Sequence, residues 1–192
     1  MTVDAGRIAT GAPRIYFAHC PAWGRMDAAV ADVERIASLG FDHLLVSAFF
    51  RGPEGVAGTA RNRPEDHGRP VFPDTPSADE AIEQLARAAA AEGLKLLIDL
   101  DFHHFDAGHR LVADSPESFL LHRRSDDSAP LDPRRPRPAQ GVALARLNDG
   151  QSASTVLAYF RPLLARWFAA GLQGVRLVGI ERAGAAFWRD AV

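Results

Sequence analysis

Ten residues set the plan of this chain: Lys95 to His104, reading Lys-Leu-Leu-Ile-Asp-Leu-Asp-Phe-His-His. They follow a helical pattern that Gly93 ends. A short apolar run in that place predicts a buried parallel strand, because strands covered on both faces lose the apolar–polar alternation. Asp99 and Asp101 are two residues apart, so both project to one side of it. His103 and His104 fall where the strand should end. Barrels and open α/β sheets build their sites at the C-terminal ends of strands. Any chemistry of this chain is expected here.

The same unit recurs before and after. Arg14 to Ala18 reads as a strand from its β-branched and aromatic content. Asp27 to Leu39 reads as a helix burying Val30, Val33, Ile36 and Ala37, with Gly40 just past its end. His43 to Ser47 is a second strand. Ser77 and Glu80 form a capping-box pattern, in which hydroxyl and carboxylate each satisfy an orphan amide. The helix they open turns Ile82, Leu85, Ala86 and Ala89 inward. A third helix is predicted over Thr155 to Ala170, through Val156, Phe160, Leu163, Leu164 and Trp167. Pro162 either kinks it or marks the first turn of a shorter helix. Gly174 to Val178 is a fourth strand, and Ala185 to Val192 starts another helix.

Residues 1–13 read as a leader and 14–192 as one folded unit. Irregular insertions are expected at about 51–76 and 105–150. The second contains a Pro-rich run, Asp132 to Pro138, that cannot be helix interior. Strand and helix alternate three times, then a strand and a helix start follow. That order gives right-handed βαβ crossovers and a parallel sheet. The fold class is α/β, a partial (β/α)8 barrel with about four of the eight strands. Free edges on such a sheet invite pairing. The expected associations are a homodimer or a second barrel half.

Composition excludes several classes. The chain has 192 residues, 47% of them hydrophobic and 24% charged, as in a globular domain. A formal charge of −2 gives no reason to expect nucleic acid or an anionic membrane as partner. No apolar run approaches the roughly 20 residues of a spanning helix. The first residues lack the apolar centre of a signal peptide. Cys20 is the only cysteine, which rules out an internal disulfide and makes a reducing cytoplasm the default setting.

Several residue groups carry competing readings. His103, His104 and His109 have zinc-ligand chemistry, but an adjacent pair diverges and no second ligand type supports it. Asp101 and His104 fit an orienter and a base, yet no serine or cysteine sits at a nucleophile elbow. Phe49, Phe50 and Tyr16 suit sugar stacking or the core, and core is the commoner role. Gly52 to Gly58 lacks the Lys-Ser/Thr ending of a phosphate loop. No metal or cofactor is expected.

At the level of motifs, the chain resembles the first half of the catalytic barrel of the α-amylase superfamily, glycoside hydrolase family 13. Ile15-Tyr16-Phe17-Ala18-His19 resembles its opening strand, and Gly40 to Ser47 its second. Asp99 to His104 lies where the family carries Asp-x-x-x-Asn-His, with His103 in place of Asn. His109-Arg110-Leu111-Val112 and Ser115-Pro116-Glu117-Ser118-Phe119 resemble the maltosyltransferase branch, which extends α-1,4-glucans such as glycogen from maltose 1-phosphate. Gly174 to Val178 lies where the family has Gly-x-Arg-x-Asp.

The resemblance implies an α-glucan or maltosyl ligand. It places a sugar site at Asp99, His104 and Arg176, with Tyr16 and His19 nearby. The family's nucleophile position is Val178 here, and valine cannot form a glycosyl ester. Glu181 and Asp101 are the remaining carboxylate candidates for an active hydrolase. The family's general acid comes from a fifth strand, which this sequence does not reach. The family can also bind calcium after the third strand. Calcium prefers oxygen ligands, and His103 replaces the matching Asn, so none is expected. The expected function is a maltosyltransferase-like module lacking nucleophile and general acid. The alternative is a non-catalytic half-barrel that pairs with a partner domain.

Overall fold

The computed structural model describes residues 12–52, 64–122 and 141–191. Residues 1–11 of the leader, 53–63 of the first loop and the Asp132 to Pro138 run lie outside the described residues.

Taken in order, the chain forms β1 (Ile15–His19), α1 (Met26–Ser38), β2 (His43–Ser47), α2 (Ala78–Ala91) and β3 (Lys95–Asp101). Then come β4 (His104–Asp106), α3 (Arg110–Asp114), β5 (Phe119–His122) and β6 (Val142–Ala145). The long helix α4 (Gly150–Ala169), β7 (Gly174–Val178) and α5 (Ala185–Ala191) complete it. Strands β1, β2, β3 and β7 form one parallel sheet in that order. This is the predicted half of an eight-stranded barrel. Among the described residues, no helix is long and apolar enough to cross a membrane.

Crossover connections put α1, α2 and α4 on one face of this sheet. Leu44, Val46, Leu96, Ile98 and Leu100 point into that layer and are buried. The buried stripe of α1 is Met26, Ala29, Val33 and Ile36. Val30, expected in it, lies four residues after Met26, about 40° past the edge of the stripe, and is exposed at its rim. The inward face of α2 is as predicted. Helix α4 runs straight through the Pro162 position. Both Pro162 and Ala158, whose carbonyl the proline cannot serve, face solvent. Water therefore replaces the missing helical bond.

The segment at 105–150 is not simply irregular. Its described residues build a second sheet, antiparallel, in the order β4-β6-β5. Phe105 and Phe119 pack edge to face at 5.2 Å, and Phe105 also meets Phe160 of α4. The three strands have three or four residues each. Stretches so short carry too little alternation to stand out in a sequence.

Ser77 caps α2 by accepting a hydrogen bond from the Glu80 amide, 3.2 Å. The reciprocal arm is not made, since the Glu80 carboxylate does not reach the Ser77 amide. The cap is thus one-sided. Ser77→Ala is expected to cost about 1 kcal/mol, and Glu80→Ala close to nothing, when the two variants are compared by urea denaturation.

Candidate functional site

Period-two alternation decides which strand residues share the uncovered face of the sheet. On β1 these are Ile15, Phe17 and His19. On β3 they are Leu97, Asp99 and Asp101, and on β7 Gly174, Arg176 and Val178. Tyr16 has the other parity. It stands edge-on to Phe41, and its hydroxyl accepts a hydrogen bond from Arg35 of α1 at 3.2 Å. The strand pleat thus separates Tyr16 from the residues with which the resemblance grouped it. Phe49 and Phe50 are buried in the core.

The centre of this face is an ion pair. Asp99 and Arg176 are in register on adjacent strands. The guanidinium grips the carboxylate through Nε and an Nη nitrogen, both at 2.6 Å. Two parallel charge-assisted bonds fix direction as well as distance. The Arg176 guanidinium also lies 5.0 Å from the centre of the Phe17 ring. Asp99 is only 5% exposed, whereas Arg176 is 51% exposed.

Two residues along β3, Asp101 serves as a turn-holding acceptor. One carboxylate oxygen accepts the amides of His103 and His104, at 2.8 and 3.1 Å. The other accepts His104 Nδ1 at 2.8 Å. His104 Nδ1–H is therefore aimed at Asp101, and Nε2 is the ring nitrogen left for another partner. At the end of β1, His19 Nδ1 lies 3.1 Å from the Ser47 hydroxyl.

Val178 is in register with Asp101. It stands at the C-terminal end of β7, the edge strand, with a side chain that can neither attack nor ionise. Glu181 is 70% exposed and pairs with Arg182 at 3.5 Å. Both Asp101 and Glu181 act electrostatically on His103. Asp101 already serves three donors.

His103 is held neutral. Burial comes first among the causes, then the neighbouring His104, and together they push it down to about 4. Its Nδ1 is buried without a partner. An imidazole in place of an oxygen donor does not suit calcium. His109 does not approach His103 or His104; it meets His67 and Tyr159 instead. No group of three His, Cys, Asp or Glu among the described residues has metal-holding geometry.

Sequence reasoning brought Asp99, Arg176, Asp101 and His104 to one place. It missed Phe17, although the same alternation that carries Asp99 inward carries it too. It also missed the meeting of His67, His109 and Tyr159, which no local pattern encodes.

Comparison with known proteins follows the same outline. No protein-family model matches the chain. It is 25% identical over 182 residues to the alpha-1,4-glucan:maltose-1-phosphate maltosyltransferase of Burkholderia pseudomallei (strain K96243), covering 92% of this chain and 15% of that protein. It resembles the maltogenic α-amylase AmyB from Thermotoga neapolitana with a TM-score of 0.68 and 19% identity. That match covers 93% of this chain and 42% of AmyB. The α-amylase of Geobacillus thermoleovorans, solved with acarbose, matches with a TM-score of 0.66 and 15% identity over 93% of this chain and 42% of its own. This chain is therefore similar to part of an amylase-type barrel and spans less than half of each of these proteins.

Burial of the two partners is unequal, so their removal should be too. Arg176→Ala strands a buried carboxylate and is expected to cost about 3 kcal/mol. Asp99→Ala frees a guanidinium already half in water and should cost about 1 kcal/mol. Urea denaturation of both variants checks the order.

Proposed function

We propose that this chain is an α-glucan-binding part of an amylase-type barrel, of the maltosyltransferase kind, that positions sugar but carries no nucleophile of its own. One observation carries the reading. The bidentate Asp99–Arg176 pair is intact, and Val178 stands two residues after Arg176 where the family's carboxylate belongs. The scaffold of the site is kept and its reacting group is absent.

The retained groups suit hydroxyl recognition. His104 Nε2 accepts a hydrogen bond from a sugar hydroxyl while Asp101 holds the ring. The Arg176 Nη groups that face solvent donate to ring or hydroxyl oxygens. His19 extends the same row. Oxocarbenium chemistry needs two carboxyl groups flanking the scissile bond. Neither Asp101, with its three donors, nor exposed Glu181 fits that part. The likeness to the maltosyltransferase and to an amylase that binds acarbose supports a glycogen-type α-glucan as ligand. A reducing cytoplasm is the setting we assign, on the strength of the single buried thiol, Cys20.

A second reading has its own observation. Ile15 and Phe17 are 43% and 52% exposed on the uncovered face, and strands β1 and β7 are both edges. A second copy, related by a two-fold axis along the barrel, would pair β7 with the partner's β1 twice over and reach eight strands. The Asp99–Arg176 pair enters such an interface already neutralised. Assembly then buries the site rather than offering it to sugar.

Isothermal titration with maltose, maltoheptaose and maltose 1-phosphate tests the first reading, and sedimentation of the same protein tests the second. Saturable binding that disappears in His104→Ala is expected. Absence of heat from a folded monomer contradicts both readings. A dimer without binding that Phe17→Asp returns to monomer favours the second.

A further inference from the structure

A second polar cluster is built from His67, His109 and Tyr159, apart from the hydrogen bonds of Asp99, Asp101, His104 and Arg176. His67 precedes α2, His109 precedes α3, and Tyr159 is in α4. All three meet: His67 Nδ1, His109 Nε2 and Tyr159 Oη are mutually 3.2 Å apart. Both imidazoles are 1% exposed. Phe50, Phe105 and Phe160 ring His67 edge to face.

Proton accounting among these three atoms leaves one arrangement. The Leu111 amide donates to His109 Nδ1 at 3.0 Å, which caps α3. His109 must then carry its proton on Nε2. That N–H donates to Tyr159 Oη, and the Tyr159 hydroxyl donates to His67 Nδ1. If His109 donated to His67 instead, the phenol proton would have no acceptor among the three. This ordering also excludes a metal between these atoms, because a ligating Nε2 on neutral His109 would need its proton on Nδ1 and would break the cap.

We propose that this triad is an acid-release latch that holds the small antiparallel sheet and the segment before α2 against α4. One added proton on either ring breaks a bond of the chain. On His67 Nδ1 it displaces the Tyr159 hydroxyl proton, and on His109 Nδ1 it displaces the Leu111 amide. The two bonds span 50 and 92 positions, so each ties a different segment to α4.

Burial is the largest influence on all three groups. Complete burial, then His109, hold His67 well below the usual imidazole range. Burial also lowers His109, against an upward pull from Asp66 and Asp106. Burial pushes the Tyr159 hydroxyl up to about 12, with Asp66 adding and Arg110 and Arg166 opposing. The phenol therefore stays a donor at every relevant pH.

The sign follows from linkage. Both imidazoles are depressed in the closed form and return to 6.5 when released. The latch is fully stable above about pH 6.5 and weakens as pH falls below it. Two sites titrating at 6.5 raise the opening constant up to roughly a hundredfold between about pH 7.5 and 5.5, and one site roughly tenfold.

Amide hydrogen exchange of β4 and β6, corrected for intrinsic rates, reads this opening. His67→Phe keeps an aromatic ring in its aromatic surroundings and should remove roughly tenfold of the pH dependence. His103, also depressed, contributes equally to both proteins and cancels. Nitrogen-15 spectra of the unmutated protein supply a readout that needs no variant. They should show His109 in the Nε2–H tautomer and His67 neutral at about pH 6. An unchanged pH slope in His67→Phe, or His67 titrating near 6.5 in the folded protein, would overturn the latch.

Discussion

Parallel strands can be joined only by crossovers, and that constraint shapes everything else in this chain. Right-handed connections send α1, α2 and α4 to one face of the sheet, where Leu44, Val46, Leu96 and Ile98 meet them. Among the described residues, no crossover helix goes to the other face. It carries Phe17, Asp99, Arg176 and Val178. Core and candidate site are thus the two sides of the same strands. A residue's parity along its strand decides which of the two it serves, as Tyr16 and Phe17 illustrate from neighbouring positions.

On that open face the Asp99–Arg176 pair replaces packing as the fixing interaction. Its two bonds tie β3 to β7 side by side and set the height of the neighbouring row, Asp101 beside Val178. Asp101 in turn orders the chain as it leaves β3, through two amides and the His104 ring. A hydrogen-bonded scaffold of this kind stays rigid whether or not a nucleophile is mounted on it. That is how Val178 can stand in the next row beside an intact Asp99–Arg176 pair.

Legibility in the sequence tracked the range of the interaction. Strands β2, β3 and β7 and the inward face of α2 follow from local periodicity, and their boundaries are close to those expected. The Asp99–Arg176 pairing, 77 positions apart, was accessible through the family resemblance, which places these two strand-end residues near each other. The antiparallel sheet was not, since strands of three or four residues leave almost no alternation to detect. The His67–Tyr159–His109 contact was invisible for a different reason: its members come from three segments with no shared period, and only the fold brings them together. The capping box was half right, because the pattern specifies the serine arm and leaves the glutamate rotamer free.

The central claim is a site that engages sugar without turning it over. The most direct measurement is a titration of the histidine-labelled protein with maltoheptaose, reading the His104 Nε2 resonance and the sugar anomeric signals in the same sample. The account predicts that His104 shifts saturably while the maltoheptaose stays intact. A His104 signal that does not move at high sugar concentration, or new anomeric signals from shortened or extended chains, would contradict it.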